Sequence, residues 1–129
     1  MKFLLDTNAV IAILNAKQDF IARLKQHHPN DFGLPAIVLF ELYFGAEKSQ
    51  RKKENLTKIE RLPFEIIPFT ASDARIAGKI RAQLMALGRL IGAYDVQIAA
   101  QALSRDLILI THNVKEFSRI DGLVWQDWE

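Results

Sequence analysis

Four carboxylates stand out by their surroundings: Asp6, Glu41, Asp95 and Glu116. Asp6 ends the apolar run Phe3-Leu4-Leu5, and Thr7, Asn8 and a new apolar pattern follow at once. The stretch reads as a buried strand closing on a carboxylate, and open parallel α/β sheets gather ligands outside the carboxyl ends of their strands. Asp6 would also serve as the cap of the helix that follows. Glu41 is the only charge in the first ten residues of AIVLFELYFGAEK (36–48), with Ile37, Phe44 and Gly45 three or four residues away. It therefore projects from an apolar helix face, where a carboxylate is costly unless paired with Arg or Lys, protonated or bound to a cation. Asp95 is a first-turn acid suited to a helix dipole, yet Ile98, Ala99 and Ala102 put it on an apolar face too. Glu116 follows Thr111-His112-Asn113, a polar cluster that leaves the clearest buried strand, 106–110.

Brought together, such acids cannot all ionise comfortably, so they need a cation or raised pKa values. Oxygen donors without Cys or a convincing His set favour Mg²⁺ or Mn²⁺ over Zn²⁺. Ions of this kind activate water and stabilise the oxyanions of in-line displacement at phosphorus, so the chemistry is metal-dependent phosphodiester hydrolysis. Thr7, Asn8, Thr111 and Asn113 flank the acids and are candidates for contacting substrate or orienting the ligands.

The elements that must position these residues alternate between strand and helix patterns. After Asp6, residues 8–16 carry Val10, Ile11, Ile13 and Leu14 at helical spacing, with Thr7 or Asn8 as N-cap. A helix over 18–27 turns Phe20, Ile21 and Leu24 inward, and His27-His28-Pro29-Asn30-Asp31 breaks it. Adjacent histidines rarely converge on one ion, so this pair reads as loop. Phe32 to Pro35 forms a short strand, with Pro35 opening the Glu41 helix. That helix is apolar nearly all round, so its surplus face around Phe40 and Tyr43 is expected to meet another protein. A charged helix over 47–61 follows, with a thin stripe at Leu56, Ile59 and Leu62 and a basic face that reads as solvated or phosphate-binding. A strand between Pro63 and Phe69 leads to Thr70 and Asp73, spaced like a capping box, which makes Asp73 structural. Their helix runs to Leu87, burying Ile76, Ile80, Leu84 and Leu87, and Gly88 ends it. A loop from Gly88 feeds a helix over 95–103, and the chain closes with a Gly122 turn and a Val124-Trp125 edge strand.

This alternation implies βα units, hence an α/β fold with a mainly parallel sheet and helices on both faces. At 129 residues the chain is one domain long. It has no cysteine, and no apolar stretch approaches the roughly 20 residues of a membrane span, so a soluble cytoplasmic protein is expected. A net charge of +2 is compatible with nucleic acid. The absence of a Gly-rich loop ending in Lys-Ser or Lys-Thr argues against an NTPase. Asp6-Thr7-Asn8 lacks the second Asp of an aspartate-nucleophile phosphatase, and His112 reads as a hydrogen-bonding loop residue.

LLDTNAVIA, the Glu of FELYFGA, IGAYDVQIAAQAL and LITHNVKEFSRI, in this order and spacing, resemble PIN-domain ribonucleases of the VapC toxin type over essentially the whole chain. The resemblance implies a single PIN domain over 1–129, a three-layer α/β/α fold with strand order 3-2-1-4-5. It also implies a Mg²⁺-dependent endoribonuclease, some relatives of which cut initiator tRNA. Asp6 and Asp95 would be the central metal ligands, and Glu41 a further ligand or the holder of the attacking water. Many relatives carry a fourth acid where this chain has Asn113, so Glu116, one helical turn on, is the expected substitute. A VapB-type antitoxin, a toxin homodimer and operator DNA bound only through the antitoxin are implied as well. Leu39, Phe40, Leu42 and Tyr43 are expected at those interfaces. An RNA- or protein-binding PIN module without catalysis is the alternative, and the complete Asp6, Glu41 and Asp95 set argues against it.

Overall fold

A computed structural model describes residues 1–129. Strand β1 (Phe3–Leu5) is buried at all three positions, which requires cover on both faces of the sheet and places β1 at its centre. It pairs in parallel with β2 (Phe32–Pro35) and β4 (Ile108–Ile110), with Phe3 opposite both Phe32 and Ile108. Strands β3 (Glu65–Ile67) and β5 (Trp125–Gln126) complete the sheet, also in parallel, in the order β3-β2-β1-β4-β5. The expected order is therefore the observed one.

The order reverses direction at β1. Helices α1 (Thr7–Leu14), α2 (Gln18–Leu24), α3 (Ala36–Glu47) and α4 (Lys52–Glu60) make the crossovers that lead outward from β1 to β3. Helices α5 (Ala71–Ala86) and α6 (Ala93–Arg105) return to β4, and α7 (Val114–Phe117) leads to β5. Right-handed crossovers in opposite directions place these two groups on opposite faces, giving the three layers. The contacts agree: α1 packs on α2 and α3, α3 on α4, and α5 on α6. The chain thus leaves the carboxyl ends of β1 and β4 toward opposite faces, opening a crevice between them.

Several local expectations are corrected. Asp6, not Thr7 or Asn8, caps α1, its side chain accepting from the Ala9 amide at 2.8 Å. The basic helix begins at Lys52 instead of 47, because Ser49 Oγ accepts from Arg51 N and Asn55 Nδ2 at 3.0 Å and forms a turn after α3. Helix α2 stops at Leu24, and α6 starts at Ala93, two residues early. Leu87 is 68% exposed, since it caps α5 beyond its last inward turn while Gly88 takes φ 65°. His27 stacks on Trp128 and His28 caps the Pro29–Asp31 turn, so neither forms a metal pair.

The predicted Thr70/Asp73 capping box is present, and Asp73 does more than cap. Fully buried, it accepts hydrogen bonds from Arg105 Nη1 at 2.7 Å and Arg105 Nη2 at 3.1 Å, which lock α6 onto the start of α5. Burial alone would raise its pKa, but the bonds from Arg105, Ser104 and Thr70 overcome burial and hold it at about 2.

Candidate active site

The crevice collects the predicted acids. The amide of Asp6 donates to the Ile110 carbonyl at 3.2 Å, which ties the end of β1 to the end of β4. Asp6 is 3% exposed and its Oδ1 accepts from the Ala9 amide, while the nearby Thr111 hydroxyl favours its charged form. Thr111 is itself oriented from behind, since its Oγ accepts from Asn113 N at 2.9 Å. Helix α6 runs back toward the amino end of β4, so its first turn lies at the carboxyl edge and carries Asp95 there. Glu41 arrives from α3, where the Thr7 hydroxyl donates to its Oε1 at 2.8 Å. No Arg or Lys pairs with Glu41, so the salt-bridge alternative fails.

Electrostatics confirm the proximity. Burial raises Asp6 to about 6, with the charges of Glu129 and Glu41 adding to it against the hydrogen bonds it accepts. Asp95 also rises to about 6, first through burial, then through Glu116, Asp6 and Glu41. Glu116 lies close enough to Asp95 to favour its protonated form, and Asp95 receives a hydrogen bond from Asn113 Nδ2 at 3.4 Å. Glu41 thus acts on both Asp6 and Asp95, Glu116 acts on Asp95, and Glu129 from the chain's last residue acts on Asp6, so five acids share one field. Thr7, Thr111 and Asn113 contact them directly, whereas Asn8 is exposed in the first turn of α1.

The donor set is all oxygen, which suits a hard divalent cation. The pocket is open as it stands. Only His112, Asp127 and Glu129 bring three ligand atoms within 4.8 Å of one another. The His112 trio escaped sequence analysis because only the parallel pairing of β5 with β4 brings residues 127–129 beside 112. It lies at the surface, with His112 Nδ1 3.0 Å from Asp127 Oδ2 and Glu129 paired with Lys17.

Asp6 and Asp95 make the metal-free protein less stable as pH rises. Both bind protons more tightly when folded than when unfolded, so stability is full below about pH 4 and falls as pH rises through about 6. For Asp6 the loss is about 2–3 kcal/mol. Asp95→Asn in EDTA at neutral pH is accordingly expected to melt no lower than the parent, by calorimetry. A clear drop in melting temperature would make Asp95 a structural cap.

The family model for the PIN domain matches residues 3–123. The tRNA(fMet)-specific endonuclease VapC of Shigella flexneri is 37% identical over 130 residues, covering 99% of this chain and 98% of that protein. Among solved structures, DNA-bound VapBC from Salmonella typhimurium superposes with a TM-score of 0.94 at 36% identity, over 100% of this chain and 99% of that one. VapBC2 from Rickettsia felis, bound to a promoter DNA fragment, gives 0.93 at 32% identity over the whole of both chains. No helix of this chain is long and apolar enough to cross a membrane. Fold, strand order and full-length similarity agree: the chain belongs to the PIN-domain family, among the ribonuclease toxins of the VapC type.

Proposed function

We propose that this chain, as a single PIN domain, is a Mg²⁺-dependent endoribonuclease acting on tRNA, with Mn²⁺ as a working substitute and a VapB-type antitoxin as its inhibitor. The observation that supports it most is the convergence of Asp6, Glu41, Asp95 and Glu116 on the crevice beside β1, with two of them raised to about 6. Asp6 and Asp95 would hold the cation, and Glu116, whose charge acts on Asp95, would supply the acid that Asn113 does not. A bound Mg²⁺ lowers the pKa of water and offsets charge on the phosphoryl oxygens. Glu41, steadied by Thr7, orients the attacking water and accepts its proton. Thr111 and Asn113 keep Asp6 and Asp95 aimed at the crevice. Glu116→Gln should lower metal-supported activity roughly tenfold, in the range of residues that support a metal ligand.

The antitoxin's place is the apolar groove between α1, α3 and α4, a hollow of about 220 Å³ whose lining includes Ile11, Leu42, Ala46 and Ile59 and reaches Glu41. A segment lying there would cover the catalytic acid, and the antitoxin's own DNA-binding part would carry the complex to operator DNA. A homodimer of the toxin completes that assembly. Of the residues expected at protein interfaces, Leu42 lines this groove from the core, Leu39 and Tyr43 are partly buried against the core, and Phe40 is exposed. The test is cleavage of total cellular RNA, tRNA included, by purified protein free of antitoxin. Discrete fragments with Mg²⁺ and none with EDTA are expected. Intact RNA in both, from folded protein, would leave a binding module instead.

A further inference from the structure

Each of two pocket acids has an exposed aromatic neighbour in the chain: Phe40 precedes Glu41 and Tyr94 precedes Asp95. Although they come from helices on opposite sides of the sheet, the two rings meet edge to face, with centroids 5.9 Å apart and planes at 88°. Phe40 is 52% exposed and Tyr94 44%. They border a hollow of about 380 Å³ shared with Thr7, Glu41, Phe44 and Lys48. Phe44 is 60% exposed, and the Lys48 ammonium lies 4.8 Å from its ring centroid.

We propose that Phe40 and Tyr94 form a platform on which a nucleobase beside the scissile phosphate stacks. The proposal rests on the nuclease reading and adds a substrate-positioning element to it. Every large apolar side chain in the hollow is aromatic, which suits the π-face of a base better than an aliphatic anchor. The perpendicular rings form a corner in which a base lies flat on one ring with its edge toward the other. Lys48, at the far end of the hollow, supplies the cation for a neighbouring phosphate. Glu41 lines the same hollow, so a base stacked there lies beside an acid of the pocket.

The test uses the full chain with oligoadenylate carrying 2-aminopurine, in Ca²⁺ so that the strand is not cut, and steady-state cleavage of RNA in Mg²⁺. Phe40→Leu with Tyr94→Leu keeps the apolar character and removes the rings. The platform predicts quenching of 2-aminopurine by the parent and loss of quenching in the double variant. It also predicts a KM about tenfold higher with kcat within about threefold, and recovery of KM in Phe40 with Tyr94→Phe. An unchanged KM and undiminished quenching in the double variant would overturn it. So would an unchanged KM with weakened self-association or antitoxin affinity, which would make the face a protein interface. A parent that quenches 2-aminopurine yet cuts no RNA would refute the nuclease and leave the platform standing.

Discussion

Asp6→Asn should abolish metal-dependent RNA cleavage, by at least about a hundredfold in kcat/KM, without weakening the fold. The two effects separate because Asp6 has two structural roles that Asn can keep and one chemical role that it cannot. Asn is as good an N-cap as Asp, so the bond from the Ala9 amide at 2.8 Å survives. Thr111 still finds an acceptor on the amide oxygen. The charge that a cation needs is gone, and with it the repulsion among the pocket acids. In EDTA at neutral pH the variant should therefore melt at or above the parent's temperature. A variant that loses activity and also melts well below the parent would mean that Asp6 serves the fold first.

The second large effect lies away from the site. Asp73→Ala removes the half of the capping box in which Thr70 N donates to its carboxylate, keeps the half in which the backbone amide at 73 donates to the Thr70 hydroxyl, and leaves Arg105 facing Ser104 and the backbone without its carboxylate. Its Arg105 side chain is 25% exposed, so water relieves part of the stranded charge. A loss of roughly 2–4 kcal/mol is expected from denaturant titration. The pH dependence has a sign opposite to that of the active-site acids. Asp73 titrates near 2 when folded, below its ordinary 3.8. Its contribution is thus present above about pH 4 and fades as pH falls toward 2. Together the two groups give the metal-free parent a stability maximum near pH 4–5. Asp73→Asn should flatten the acid limb and leave the limb between pH 4 and 7 unchanged.

These acids were legible in the sequence to different degrees. Asp6 announced itself as a charge ending a short apolar run, and Glu41 as the only charge in the first ten residues of a helix apolar nearly all round. Both signals are energetic, since neither position tolerates a carboxylate without a reason. The alternation of strand and helix patterns gave the parallel sheet, whereas the strand order came with the family resemblance, because no local pattern encodes which strands pair. The approach of Glu116 to Asp95 was invisible for the same reason: it brings α7 to α6 across the crevice. The turn after α3 was missed because KSQR contains neither Gly nor Pro, and it is set by the Ser49 hydroxyl. The cap role of Asp6 does not compete with a metal-binding one, because the bond from the Ala9 amide takes Oδ1 alone.

The toxin reading also divides the surface. The α1/α3/α4 groove is continuous with Glu41 and apolar, and so fits a covering peptide segment. The aromatic corner on the other rim of Glu41 faces open solvent and fits substrate. An antitoxin lying in the groove would then block catalysis at Glu41 without occupying the base platform.

The most direct test of the central claim is titration of Mn²⁺ into metal-free protein, followed by electron paramagnetic resonance, for the parent, Asp6→Asn, Asp95→Asn and His112→Ala. Binding that is lost in both Asp variants and unchanged in His112→Ala is the predicted result, and it places the ion among the acids at the end of β1. Binding that survives both Asp variants and disappears in His112→Ala would contradict it, moving the ion to the surface trio of His112, Asp127 and Glu129.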